Sequence, residues 1–431
     1  MPQMNTDQHA TADAIYARVT WRLLPFLILC YVVAYLDRVN VGFARLQMLS
    51  DLHFSETVYG LGAGMFFIGY FLFEVPSNLF LHRVGARLWI ARIMITWGLV
   101  SASFMFIRTP ASFYILRFVL GIAEAGFFPG IILYLTYWFP SERRARMVAL
   151  FMAAPPLAGV FGGPLSGWIM QSFAGTRGLA GWQWLFLLEA VPALIVGVAV
   201  LLYLDNGIRS AKWLSDAEKS FLEERIAQDR SVTAPHASLA HVFSDRRLWL
   251  LCLIYFCCVM GHYGLTFWMP ALVQSAGVTG TLRIGLFTAI PYTGAVVAMV
   301  LLGANADRRR ERRWHAAIPM TIGAIFLSLS ALAGTHTALA MVCLTIAAAG
   351  VLSSGALFWS LPTAFLGGVA AAAGIAAINS VGNLAGFVSP YVVGWLKDLT
   401  HSTEAGMFAV SAVLIVGAGL ILTISPKLVN R

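Results

Sequence analysis

Four ionisable residues stand where an apolar chain should not carry charge. Asp37 and Arg38 sit side by side in CYVVAYLDRVNVGFARL (30–46), and Arg117 and Glu124 punctuate RFVLGIAEAGFF (117–128). Arginine keeps its proton and offers a planar donor fork that matches a carboxylate, which lysine does not. A carboxyl group in such a place is drawn toward its neutral form by loss of water and toward its charged form by a neighbouring guanidinium. An incoming anion that takes the guanidinium away therefore favours protonation, and the two binding events become linked. The set holds both parts of a proton-coupled anion carrier: Asp37 and Glu124 as proton sites, Arg38 and Arg117 as anion ligands. Ion pairs that merely hold helices in register are the competing reading.

The elements that must position these groups are membrane helices. The 431 residues are 59% hydrophobic and 11% charged, with a mean hydropathy of +0.77, whereas a soluble domain carries about 25% charged residues. Apolar runs long enough to cross a bilayer recur near 21–44, 58–81, 88–107, 111–139, 147–170, 182–204, 247–274, 283–304, 315–334, 338–361, 371–396 and 405–425, numbered here as spans 1 to 12. A charge near a helix centre costs at least about 2.5–3.5 kcal/mol, so all four should face a bundle interior or a wet cavity. Counted from Arg45 and Pro110, Arg38 and Arg117 lie about 10 Å inside their spans and share a depth. Glu124, two turns beyond Arg117, shares its face about 10 Å deeper. Spans 1, 4, 7 and 10 are expected to line the cavity, with both guanidiniums directed into it. Tyr70, Tyr263, Trp268, Asn379 and Asn383 are further candidates for its lining, and Glu74 and Glu189 read as latch or interface residues.

The net charge of +9 does not point to nucleic acid once the positives are assigned to alternate loops. Arg45, Arg108, Arg177, Arg283 and Lys397 fall on one side; the other holds many more, including the run at 308–313, and is therefore expected to be cytoplasmic together with both termini. No cleavable signal peptide is read at the start. The five cysteines all lie in apolar runs, as buried hydrophobes rather than disulfides or metal ligands. No metal site or cofactor is expected, and neither His-Glu-x-x-His nor Gly-x-Ser-x-Gly occurs, so an enzyme is disfavoured.

One hydrophilic interval, 205–245, divides residues 1–204 from 246–431. Within it Ser215 to Glu218 forms a capping box that opens a short amphipathic helix, lying at the membrane surface or against the bundle. The flanking halves echo each other: AGVFGGPLSGW in span 5 answers NLAGFVSPYVVGW in span 11. Two pseudo-symmetric six-helix halves suggest a carrier that rocks around a central site.

YLDRVNVGFA (35–44), GYFLFEVPSNLFLHRVGAR (69–87), RFVLGIAEAGFFPGIILYLTYWFP (117–140), GPLSGW (163–168) and NSVGNLAGFVSP (379–390) resemble the major facilitator superfamily, in its anion:cation symporter branch of tartrate, phthalate and sugar-acid permeases. The resemblance implies an all-α membrane protein of the major facilitator fold. It also implies a monomer in the cell's inner membrane that imports a small organic anion, a hydroxylated or aromatic carboxylate, with protons. It further implies a conformational latch at Arg83, Gly85 and Arg87, echoed by Asp307 and Arg308, although His82 stands where the family has aspartate. Gly159, Gly163, Pro164 and Gly167 resemble a motif of antiporters, which keeps an exchanger or exporter as the alternative.

Overall fold

The computed structural model describes residues 6–232, 244–362 and 368–429, and all regular structure among them is helical. Among the described residues, eleven helical stretches are long and apolar enough to cross a membrane. The helix Gly368–Thr400 stands where span 11 was expected. The chain is thereby organised as twelve spans in two six-helix halves, with the fully buried Trp97, Trp138 and Trp268 among the largest core side chains.

Span 4 is two helices, Pro110–Glu124 and Phe127–Thr136. Pro129 causes the break. It has no N–H to give the carbonyl four residues earlier and its ring crowds that carbonyl, so Ala125 leaves the helix at ψ 132°. Gly126 then turns through φ 85°, where a side chain would also collide with Ser77. Glu124 is thus the last residue of a half-helix. Span 1 is interrupted at Asn40, between Thr6–Val39 and Val41–Leu52, two residues beyond Arg38.

The halves are clamped at the end remote from the N-terminus. Asp398, at the end of span 11, accepts hydrogen bonds from the first N–H groups of span 2, Glu56 at 3.1 Å and Thr57 at 2.7 Å. It therefore caps a helix of the opposite half. Glu56 pairs with Arg45 of its own half and, at 2.9 Å, with Lys397 of the other. Arg45 lies 4.7 Å from the ring of Trp268 in span 7. Span 8 packs on span 5 with Gly163 and Gly285 backbone to backbone, and Gly60 lies directly under the Pro390 carbonyl.

At the opposite end the linker helix Asp216–Val232 docks on the first half. Ser215 donates from its N–H and hydroxyl to Glu218 at 2.8 and 3.0 Å, which holds that carboxyl below its usual range. Arg18 pairs with Glu218 at 2.8 Å, Ser141 donates its N–H to Asp229 at 3.0 Å, and Trp213 stacks on Trp138 at 5.7 Å. Of the two placements open to this helix, it takes the one against the bundle.

Candidate functional site

Neighbouring residues on a helix point about 100° apart, and Asp37 and Arg38 accordingly serve different partners. Asp37 turns to span 3, where its carboxylate accepts from Trp97 Nε1 at 3.0 Å and Ser101 Oγ at 2.9 Å. Arg38 turns inward: Nη2 pairs with Glu124 and Nη1 donates to the Tyr263 hydroxyl at 3.1 Å. Its guanidinium also stands 5.1 and 5.6 Å from the rings of Phe66 and Tyr70, within cation–π range. Beside Tyr263, His262 Nε2 meets the Tyr35 hydroxyl at 2.5 Å. Spans 1 and 7 are thus joined twice, by residues three apart on one helix and adjacent on the other.

Arg38 opens onto a cavity of about 70 Å³. Eight of its twelve lining side chains are aromatic, and Arg38 is the only charged one among the described residues. The rings pack on one another in pairs: Phe67 with Tyr263 at 4.4 Å, Tyr255 with Trp359 at 4.8 Å, Tyr31 with Phe128 at 5.8 Å and Phe66 with Tyr70 at 5.9 Å. Asn379 and Asn383 supply amides from span 11, and Asn379 Nδ2 donates to Glu74 at 3.2 Å. Tyr70, Tyr263, Asn379 and Asn383 all line the cavity. The lining is broader than spans 1, 4, 7 and 10, because spans 2, 5 and 11 contribute Phe66, Met152 and Asn379.

Arg117 departs from expectation. It is fully buried and does not line the cavity; Nη2 donates to the Ala63 carbonyl at 3.0 Å and Nε to that of Gly62 at 3.4 Å. The cause is backbone packing. Gly121 sits under the Phe66 carbonyl and Gly69 against that of Phe118, so span 4 lies close enough on span 2 for its arginine to meet main-chain oxygens. The two guanidiniums remain neighbours of one ring, that of Phe66, at 5.1 Å from Arg38 and 5.2 Å from Arg117.

Trp268 belongs to the clamp rather than the cavity, and Glu189 accepts from Ser166 Oγ at 2.6 Å within the first half. Gly85 makes the turn after span 2 at φ 96°, and the Arg87 N–H donates to Asn206 Oδ1 at 3.0 Å. Arg83, Asp307 and Arg308 are exposed, and no ion pair joins them among the described residues. No group of potential metal ligands occurs among the described residues. Sequence reasoning passed over His262, although a histidine within a span is the same kind of signal as Asp37. It also passed over Tyr31, Tyr255 and Trp359, which carry no signal beyond being aromatic.

The family model described as Major Facilitator Superfamily matches residues 27–390. The chain is 49% identical to a protein of Agrobacterium vitis named "Putative tartrate transporter", over 96% of this chain and 93% of that one. It is 41% identical to a "Quinolone resistance transporter" of Acinetobacter baumannii, over 94% and 93% respectively. Among solved structures, that of a D-xylose-proton symporter superposes with a TM-score of 0.75 at 16% identity, covering 95% of this chain and 99% of that one.

Proposed function

The chain belongs to the Major Facilitator Superfamily, as a multi-pass membrane transporter of small organic substrates, and we propose that it imports an organic anion together with at least one proton. The observation that carries this reading is the Arg38–Glu124 pair, buried at the break in span 4, whose arginine opens onto the cavity. With Asp37 and Glu124 ionised beside Arg38 and Arg117, the four charges sum to zero, so the empty carrier can reorient. A substrate carboxylate competes with Glu124 for the Arg38 fork. In low-dielectric surroundings the added charge is penalised unless a carboxylate takes up a proton. Glu124 is the group released by that competition, and Asp37 is the second proton site. Arg38, Tyr70, Tyr263, Asn379 and Asn383 are the substrate contacts, while Arg117 balances charge from behind Phe66.

In this reading residues 1–204 and 246–431 are the two rocking bodies and 205–245 joins them. The excess of basic loops assigns both termini to the cytoplasm, at the inner membrane. The clamp of Glu56, Lys397 and Asp398 then seals the outside, and Arg83, Gly85, Arg87, Asp307 and Arg308 latch the inside when it closes. A single chain suffices for the cycle. The relative named for tartrate supports an organic-acid substrate. The relative named for quinolone resistance favours export as the second reading, with Gly163 seated on the interface between the halves.

The test is uptake of organic acids into proteoliposomes with and without an inward proton gradient. Accumulation that a protonophore abolishes supports proton-coupled import. Accumulation driven by an opposing solute gradient and indifferent to protons would establish exchange instead.

A further inference from the structure

Resting on the anion-import reading, we propose that the substrate is a flat aromatic monocarboxylate, bound with its carboxylate on Arg38, its ring between the aromatic walls and a polar ring substituent toward Asn379 and Asn383. Three features of the cavity carry this. Arg38 is the only cation among the described lining residues, so a second carboxylate would lose its water without gaining a cation to pair with. The walls are rings packed on rings, from Phe67 on Tyr263 in one place to Tyr255 on Trp359 in another. Such surfaces reward a planar π-system with offset or edge-on contacts that an acyclic polyol cannot make. The polar groups are divided between the halves, with the guanidinium on span 1 and the two amides on span 11.

The amides also fit a specific role. Asn379 spends an N–H on Glu74, which leaves its carbonyl oxygen free to accept from a ring hydroxyl or ring N–H. A ligand that spans from Arg38 to Asn379 therefore touches both halves at once.

The experiment uses the purified full chain with two readouts, ligand-induced thermal shift and proton-gradient-driven uptake in proteoliposomes. The probes are benzoate, 4-hydroxybenzoate, cyclohexanecarboxylate, phthalate and L-tartrate. Benzoate and 4-hydroxybenzoate should bind and accumulate, with 4-hydroxybenzoate the tighter. Tartrate and phthalate in excess should not displace them. Trp359→Leu should weaken benzoate roughly two- to tenfold, the range of one aromatic contact, and change cyclohexanecarboxylate less. Asn379→Leu should erase the advantage of 4-hydroxybenzoate over benzoate. If the aromatic acids bind but the proton gradient drives nothing, proton coupling falls and the aromatic assignment stands. If tartrate binds and accumulates while benzoate does neither, the aromatic assignment falls and proton-coupled import stands. If none of the five binds to folded protein, the aromatic assignment is overturned.

Discussion

Arg38 and Tyr263 meet at 3.1 Å across the two halves, through the same guanidinium that grips Glu124. A single side chain therefore holds Glu124 with one nitrogen and the opposite half with another. Whatever displaces it changes both.

Arg38→Lys keeps the charge and loses the fork. It is expected to weaken substrate binding at least about tenfold while the melting temperature stays close to that of the parent. Thermal shift and counterflow read the two effects separately. Binding close to that of the parent would mean that charge alone, and not the fork, holds the anion.

Glu124→Gln and Asp37→Asn should each lose uphill uptake under an inward proton gradient. At least one of them should still exchange substrate at equal pH, because a neutral amide leaves binding possible while removing the group that titrates. Both are assayed by uptake and counterflow in proteoliposomes. If both variants still concentrate substrate, neither acid is needed for coupling.

Arg117→Lys tests the departure of this residue from the cavity. Shortening the fork breaks hydrogen bonds to the Gly62 and Ala63 carbonyls, at a cost of about 1–3 kcal/mol in stability. Affinity should change by less than about threefold, against the tenfold of the Arg38 variant. A variant that melts normally and fails to bind would restore Arg117 as a direct ligand.

Asp398→Ala removes the cap on span 2 from the opposite half, and caps of this kind contribute about 0.5–2 kcal/mol. The end that carries Glu56 and Lys397 should open more often, by roughly two- to thirtyfold in population. Spin-label distances between the ends of spans 2 and 11 measure this, and an unchanged distribution would remove Asp398 from the gate.

Counting along the sequence recovered depth but not direction. The rise per residue correctly matched Arg38 with Arg117, which share Phe66 as a neighbour. Rotation about each helix axis is set by packing against other spans, and one residue's step changes it by about 100°. Hence Asp37 bonded to Trp97 and Ser101, residues of a span that the charge pattern gave no reason to consider. The glycines of spans 2 and 4 were visible, yet only their mating drew Arg117 onto main-chain oxygens. Three of the cavity's four ring pairs join different spans, and aromatic residues in a membrane protein are too common for composition to single them out. The twelve spans and the short basic loops were legible because bilayer thickness imposes them locally.

At the clamped end, Gly163 meets Gly285 and Gly60 meets Pro390 with no side chain between the main chains. This seam has a one-sided mutational tolerance. Nothing can be trimmed from it, and any added carbon acts as a doorstop that props the halves apart while leaving the pocket chemistry unaltered. Single alanines there offer a genetic means of arresting the carrier in its opposite orientation, and so of visualising the half of its cycle that the closed seam conceals.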